Sequence, residues 1–540
     1  MKYAILNKKI KNFKIDNQSI LKKDIVSFYW SKKNPIVLSS ILDHFVETNQ
    51  TIFDPFLGSA PILFSIDASK TDYKFVGSEI NEMPLSFIDF NIKNFSKGEL
   101  QNIKKDFMSF YKDFKKFYEY YSPIYDEKIQ LKKIIFDCVK DNEINIKEFH
   151  LENGIKSFLL KRNNQKKFSK NNKIYFENLN YCKNKIKNID LKLIHNSRIA
   201  VKKNMKLSTI FNPINFFVLS EFNKKFKNNR ILMTILASIL HLCRLTDTKS
   251  QSQFPYWVPK KNIVERNILN LIHKKIDELI KNKDKNNLSL IKTKNFSELS
   301  KAGKNIYILN KPIQKITNKD IPDQSIDILI TDPPYYDQVA YSEYLKVWEY
   351  FCNFKTNFKD EIVVSNRLVN KKNLKDYLDS LTDAFTLINK KLKSNALAIV
   401  FFKDSKPINI HYFLCIMKNA GFNFIRSLHV GKSKYTYKQN TTPDTTVTGD
   451  CLFFFSKNDN NKKKIDINLL DKKIKVDKKE ITKEVKNFVQ NYLELNKKPS
   501  LGELYDNGLI KALFEKNLLY KINNSKIIVE VLKEEFPIFR

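Results

Sequence analysis

A chain of 540 residues and 63.8 kDa is longer than a single hydrophobic core usually spans, so two or more domains, or one domain with a large insertion, are expected. Hydrophobic residues make up 42% of it and aromatics 13%, which excludes a disordered chain. Lys and Arg number 95 against 58 Asp and Glu, a formal net charge of +37 that makes nucleic acid the expected partner, with the Lys and Asn bias of an AT-rich genome as the competing source of charge.

The opening MKYAILNKKIKNFKID is interrupted by lysines before any apolar run long enough for a signal peptide. The longest apolar stretch, Ile231 to Cys243, is only 13 residues, so a cytoplasmic location without a membrane span is expected. Six cysteines stand at 138, 182, 243, 352, 415 and 451, never closer than 36 residues, which predicts reduced thiols and no metal site of zinc-knuckle spacing.

The first chemically suggestive element is Thr51-Ile52-Phe53 leading into Asp54-Pro55-Phe56-Leu57-Gly58-Ser59-Ala60 and then an apolar helical run from Ile62 to Ile66. This pattern predicts strand, tight loop and helix. Such a loop brings backbone N–H groups and a helix start close to a ligand, and Gly58 permits the approach that a side chain would block. Next, Phe75-Val76-Gly77-Ser78-Glu79-Ile80-Asn81 predicts a second strand ending in a carboxylate 25 residues beyond Asp54, a placement suited to ribose hydroxyls. The loop lacks the full G-x-G-x-x-G pattern, and Glu79 taken singly reads equally well as a surface carboxylate.

A long segment then intervenes. Leu100, Ile103, Phe107, Phe110, Phe114, Phe117 and Tyr121 recur at spacings of three and four, predicting one amphipathic helix packed on a domain body. Residues 151 to 210 carry 15 Lys and Arg against 3 Asp and Glu, with Phe158, Phe168, Tyr175, Phe176 and Tyr181 interleaved. That combination suits phosphate contact plus stacking, so Lys161, Arg162, Lys166, Lys167 and Lys170 are candidate nucleic-acid contacts, a solvated charged face being the alternative. Ile231 to Cys243 predicts a buried helix, followed by Arg244 and by the cluster holding Tyr256 and Trp257. These three are candidates for a loop at a nucleic-acid cleft, with core packing of Tyr256 and Trp257 equally open. Lys- and Asn-rich stretches at 281 to 287 and 457 to 464 read as linkers.

Asn305 to Asn310 predicts a third strand, and Ile326 to Ile330 a buried fourth strand that breaks into Thr331-Asp332-Pro333-Pro334-Tyr335. Two prolines cannot continue a ladder, so the Asp332 carboxylate, the Pro333 carbonyl and the Tyr335 ring are held at a strand's carboxyl end, where open α/β sheets place their ligands. Asn395 to Phe402 predicts a fifth strand, FIRSLHV and CLFFFSK a terminal hairpin, and 465 to 540 a helical or winged-helix tail.

Together these residues resemble the amino-group DNA methyltransferases, which use S-adenosylmethionine to methylate adenine N6 or cytosine N4. DPFLGSA at 54 to 60 is similar to the family's D-P-F-x-G-S-G cofactor loop, GSEIN at 77 to 81 to its acidic ribose-binding strand, and TDPPY at 331 to 335 to its catalytic motif. FYWSKKNPIVLSSILDHF at 28 to 45 is similar to the family segment that closes over the methionine part of the cofactor. The resemblance covers residues 26 to 98 and about 300 to 457. One departure is Ala60, where the family usually has glycine, which is expected to tighten the loop and weaken cofactor binding.

The resemblance implies an α/β fold: a Rossmann-like class I methyltransferase sheet with a large, mainly helical basic insertion and a small helical tail. The first half would occupy 1–98, the insertion and candidate target-recognition element 99–300, the second half 301–457 and the tail 458–540. It implies S-adenosylmethionine bound by Asp54, Pro55, Phe56, Gly58, Ser59, Glu79, Asn81 and Asp332, no metal, and catalysis by Asp332, Pro333, Pro334 and Tyr335. The implied partner is double-stranded DNA, with a restriction endonuclease or defence-system subunit possible beside it. Asp at the first motif position is the commoner choice for adenine N6. The alternatives are cytosine N4 methylation, an RNA base methyltransferase, against which only 53 residues precede Asp54, and an inactive binding subunit. No P-loop of the GxxxxGK[ST] type occurs, so translocation or cleavage by this chain is not expected.

Overall fold

A computed structural model describes residues 2–15, 26–30, 32–65, 74–122, 127–138, 144–151, 158–159, 173–247, 256–282, 288, 290–300, 304–336, 338–367, 369–404, 406–430, 450–457, 478–495, 501–522 and 524–536. Its strands in chain order are β1 (Thr51–Asp54), β2 (Lys74–Ser78), β3 (Glu119–Ser122), β4 (Glu127–Cys138), β5 (Ile144–Leu151), β6 (Phe158–Leu159), β7 (Ile263–Arg266), β8 (Leu290–Lys292), β9 (Lys304–Leu309), β10 (Ile326–Thr331), β11 (Leu392–Phe401), β12 (Phe422–Val430) and β13 (Asp450–Lys457).

Eight of them form one sheet in the order β12-β13-β11-β10-β1-β2-β9-β8. Every adjacent pair runs parallel except those made by β13, which is antiparallel to both β11 and β12. Parallel strands need crossovers that cover both faces, so the central strands are apolar throughout rather than alternating with polar residues. Their side chains nonetheless divide by the two-residue period. Ile52, Phe75, Ile328 and Ile399 join Val37, Leu38 and Ile41 of the helix Pro35–Phe45 on one face. Phe53, Val76, Leu329 and Val400 join Leu381 and Phe385 of the helix Leu374–Lys391 on the other. The chain leaves β1 toward β2 and leaves β10 toward β11, in opposite lateral directions, so the sheet has its topological switch point between β1 and β10. Asp54 and Thr331 end these two strands side by side, with the Thr331 hydroxyl donating to Asp54 Oδ1 at 2.7 Å.

The segment between β2 and β9 builds a core of its own. The helix Lys97–Phe114 begins with a capping box, Ser96 Oγ accepting from the Glu99 N–H and Glu99 returning to the Ser96 N–H, and buries Leu100, Ile103, Phe107 and Phe110. The helices Pro213–Phe226, Arg230–Cys243 and Ile268–Asn282 pack into the same core, as does Tyr341–Cys352, which follows β10.

One expectation is corrected here. The apolar stripe does not stay helical to Tyr121: the helix ends at Phe114, a 3-10 turn covers Lys115–Tyr118, and β3 follows. Phe117 and Tyr118 are both buried, and the Tyr118 hydroxyl donates to Asn215 at 2.7 Å. Beside its helices the segment carries an antiparallel sheet, β3 to β7, in which β4 pairs with β3, β5 and β7. The run KIQLKKIIF in β4 mixes two periodicities, and only the pairing of β4 with β7, over 100 residues later, decides between them.

The tail is helical, as Lys478–Leu495, Leu501–Leu504, Ile510–Glu515 and Lys526–Glu535. It is not separate from the sheet: Ile481, Val485, Leu504, Leu509 and Leu532 share a core with Phe385, Phe413 and Phe453. Asp506 pairs with His429 of β12 at 2.6 Å. Among the described residues no helix is long and apolar enough to cross a membrane.

Candidate active site

A cleft opens over the carboxyl ends of β1, β2 and β10. Asp54, Pro55, Phe56, Gly58, Ser59, Glu79, Asn81, Asp332 and Pro334 all line it, so the loop after β1, the acidic end of β2 and the turn after β10 meet in one place. Tyr335 adjoins them through its hydrogen bond to Asp332.

The loop after β1 is shaped by hydrogen bonds to β2. The Gly58 N–H donates to Glu79 Oε2 at 2.9 Å, the Asn81 N–H to Glu79 Oε1 at 2.8 Å, and the Leu57 N–H to the Ser78 carbonyl at 3.0 Å. Gly58 has φ +52°, and a Cβ there would meet the Tyr29 ring at 2.9 Å. On β2, a Cβ at Gly77 would strike Leu57 at 2.7 Å, so glycine is what lets the loop lie against the strand. Ala60 takes φ 55°, the left-handed conformation that costs a side chain roughly 1–2 kcal/mol, and its N–H donates to the Leu57 carbonyl at 2.9 Å. The loop thus keeps a glycine-like backbone while holding a buried methyl group.

Carboxyl groups dominate the cleft. Burial pushes Asp54 up to about 7 against the hydrogen bonds from Thr331 and the Phe56 N–H, and neighbouring Asp332 and Glu79 add to the rise. Glu79 is likewise pushed up to about 7 by burial, despite its backbone donors. Asp332 is raised by burial and by Asp450, with Lys33 and the Tyr335 hydroxyl opposing. Glu361, also on the cleft, is raised by burial with Arg367 opposing.

At the turn after β10, the Tyr335 hydroxyl donates to Asp332 Oδ1, and Lys33 Nζ lies 3.3 Å from that same oxygen. Lys33 Nζ also donates to the Tyr335 hydroxyl at 3.1 Å. The turn is braced from outside by Tyr377, whose hydroxyl donates to the Pro334 carbonyl at 2.8 Å, while the Tyr335 ring meets Phe402 edge-on at 5.0 Å. Tyr29 and Tyr341 stack at 5.1 Å to form an aromatic wall of the cleft.

Behind that wall lies an ion network. Arg367, fully buried, reaches Glu361 at 2.9 Å and Glu343 at 3.5 Å, and donates to the carbonyls of Asn370 and Phe358. Glu361 accepts from the Ser342 N–H at 2.8 Å, at the start of the helix Tyr341–Cys352. Asn196, from the inserted segment, donates to Glu343 at 2.9 Å.

The structure separates the other candidates. Tyr256 is 3% exposed with its hydroxyl on the Glu343 carbonyl, which is the packing alternative, and Arg244 is 2% exposed, donating to the Trp257 carbonyl at 3.1 Å. Neither side chain is presented to a duplex, because each is buried and turns a polar group to a backbone carbonyl; Trp257 alone of the three is exposed. Lys161, Arg162, Lys166, Lys167 and Lys170 lie outside the described residues. Sequence reasoning passed over Lys33, Tyr341, Glu361 and Asp450. Lys33 stood inside the quoted FYWSKKNP segment, and that membership was the one signal available.

The cleft fits a cationic nucleoside ligand. Ser59 Oγ is buried without a hydrogen-bond partner among the described residues, Glu79 closes the end of β2, and buried carboxyls whose ionisation burial opposes would be relieved by positive charge. Residues 326–528 match the family model N6_N4_Mtase, described as DNA methylase. Searches of curated proteins and of solved structures returned no match. The matched stretch runs from β10 and its Asp332 turn into the final helix, and over that stretch the chain is similar to the amino-group DNA methyltransferases.

Proposed function

We propose that the chain transfers a methyl group from S-adenosylmethionine to the exocyclic N6 of adenine in double-stranded DNA, in the cytoplasm, as a restriction-modification or host-marking enzyme on a Rossmann-like sheet. The observation that carries this reading is the meeting of the Asp332 turn with the Gly58 loop and Glu79 in one cleft. S-adenosylmethionine, when bound, supplies an electrophilic methyl group on a sulfonium centre. Glu79 is suited to its ribose hydroxyls, Ser59 and the Gly58 loop to its polar groups, and Asp54, Pro55, Phe56 and Asn81 to the rest of the cradle.

An adenine amino nitrogen shares its lone pair with the ring, so it becomes nucleophilic only when both of its N–H groups are held by acceptors. Asp332 and the Pro333 carbonyl are the acceptors. Because Tyr335 and Lys33 both meet Oδ1 of Asp332, Oδ2 is the oxygen left for an incoming amino group. The nitrogen sheds a proton as it is methylated, and the Asp332 carboxylate is the group placed to receive it. The base must leave the duplex to reach this turn, and the Tyr335 ring stacks on it there. Alignment accounts for most of the acceleration, since the donor needs no acid–base activation.

The test is transfer of labelled methyl groups from S-adenosylmethionine to AT-rich duplex DNA, with product nucleosides separated and Asp332→Ala as control. Label in N6-methyladenine that vanishes in the variant is expected. Label in N4-methylcytosine would replace adenine as the target, and no label in DNA with the cofactor still bound would overturn the reading.

A further inference from the structure

We infer that Lys33 is a positioning residue for Asp332: its ammonium keeps the carboxylate ionised and fixes Oδ1, so that Oδ2 meets the incoming amino group. The inference rests on the reading of Asp332 as the acceptor for the target base.

Lys33 lies in the segment before the helix Pro35–Phe45, 302 residues from Tyr335 in the chain, yet it is only 9% exposed and sits inside the catalytic turn. Its Nζ is 3.3 Å from Asp332 Oδ1, 3.1 Å from the Tyr335 hydroxyl and 3.9 Å from Asp450 Oδ1. It lies 5.2 Å from the centroid of the Tyr335 ring and 5.1 Å from that of Phe401, within cation–π range of both. Among the described residues it is the only cation within ion-pair distance of Asp332.

The acidic groups that face Asp332 push the opposite way, while the Tyr335 hydrogen bond acts with Lys33. Asp54 approaches from β1, Asp450 from β13 and the Tyr341 hydroxyl from the following helix, while Tyr335 donates from Asp332's own turn. Burial among carboxylates favours the protonated acid, and a protonated Asp332 would offer a donor where an amino group needs an acceptor. One ammonium on Oδ1 prevents this and also fixes the carboxylate's rotation. A lysine used only to fill space would not need to sit on three oxygen atoms at once.

The experiment compares the intact protein with Lys33→Met and Lys33→Arg. Single-turnover methyl transfer to one duplex is followed from pH 5.5 to 9 with saturating S-adenosylmethionine. An opposite charge at this distance moves a carboxyl by about 1–3 pH units, so the acid limb of Lys33→Met should rise by that amount. Its rate should then fall roughly tenfold or more near pH 6.5 and recover toward that of the intact protein near pH 9. Lys33→Arg should return the limb to its original place. A loss in Lys33→Met that is the same at every pH would overturn the inference, as would an unmoved limb.

A second readout is independent of turnover. The infrared difference between each protein and its Asp332→Asn derivative reports the carboxyl directly. At pH 7.5 the protonated carbonyl band should be present in Lys33→Met and absent in the intact protein and in Lys33→Arg; its absence from all three refutes the role of Lys33. If the intact protein transfers no methyl group to DNA while the band behaves as expected, the substrate reading fails and the hold of Lys33 on Asp332 stands.

Discussion

Replacing Asp54 by asparagine tests the electrostatics of the cleft without dismantling its hydrogen bonds. Both donors to Asp54, the Thr331 hydroxyl at 2.7 Å and the Phe56 N–H at 3.2 Å, meet Oδ1, and an asparagine carbonyl accepts both. Only the ionisable oxygen is lost. Burial raises the folded carboxyl from 3.8 to about 7, so between these values the folded protein holds a proton that the unfolded chain has released. The contribution of Asp54 to stability therefore falls as pH rises through that window, by about 1.4 kcal/mol per unit, and levels off above pH 7. From pH 5 to 8 the loss is about 3 kcal/mol, and the Asp54→Asn variant escapes it. Glu79, raised by the same burial, is common to both proteins, and its coupling to Asp54 is the smallest of the causes acting on Asp54. Urea unfolding of both proteins at pH 5, 6, 7 and 8, without cofactor, measures the effect. The variant should gain on the parent steadily up to about pH 7. Parallel pH profiles would refute the claim that burial protonates Asp54.

Three further outcomes are expected. Tyr335→Phe keeps the ring but removes the donor to Asp332, a hydrogen bond to a charged group worth about 1.5–3 kcal/mol, so kcat should fall roughly 10- to 100-fold with cofactor affinity unchanged; a rate within twofold of the parent would show that only stacking matters. Arg367→Met strands Glu343 and Glu361 without their buried cation, which should cost about 3–5 kcal/mol in chemical denaturation at pH 8, and less as pH falls, because burial already raises Glu361 and loss of the Arg367 charge raises it further. Reversing the charges of Lys161, Arg162, Lys166 and Lys167 together should weaken duplex binding and flatten its dependence on salt by up to about 4 in the log–log slope; an unchanged slope would remove that segment from the interface.

The elements of the cleft were legible wherever local chemistry is restrictive. A five-residue apolar run ending in two prolines has few conformations open to it, and the loop after β1 combines a strand, a glycine and a helix start within a dozen residues. The acidic end of β2 was legible only by its distance from that loop. Lys33 was not legible as a partner of Asp332, because one lysine of a Lys-Lys pair looks like any other until the fold brings it across 299 residues of chain. Arg244 misled for the converse reason, because a charge beside a core helix suggested a surface whereas its side chain is buried on the Trp257 carbonyl; for Tyr256 the packing alternative, held equally open, is the one found. The second sheet escaped because its strands are paired far along the chain, as Lys133 with Arg266, and no short window contains the choice.

The Thr51 N–H donates to Asp327 at 2.9 Å across 276 residues, and the cleft exists only where those two strands lie together. On a ribosome adding about 5–20 residues per second, the amino-terminal strands would wait roughly 15–55 s for their central neighbour. During that interval the apolar β1 and β2 have an unpaired edge, and the core of the inserted segment waits as well, because Trp348 and Phe351 of the helix after β10 belong to it. Growth temperature and chaperone supply should therefore govern the yield of this protein more strongly than they would for a chain whose central strands are neighbours in sequence.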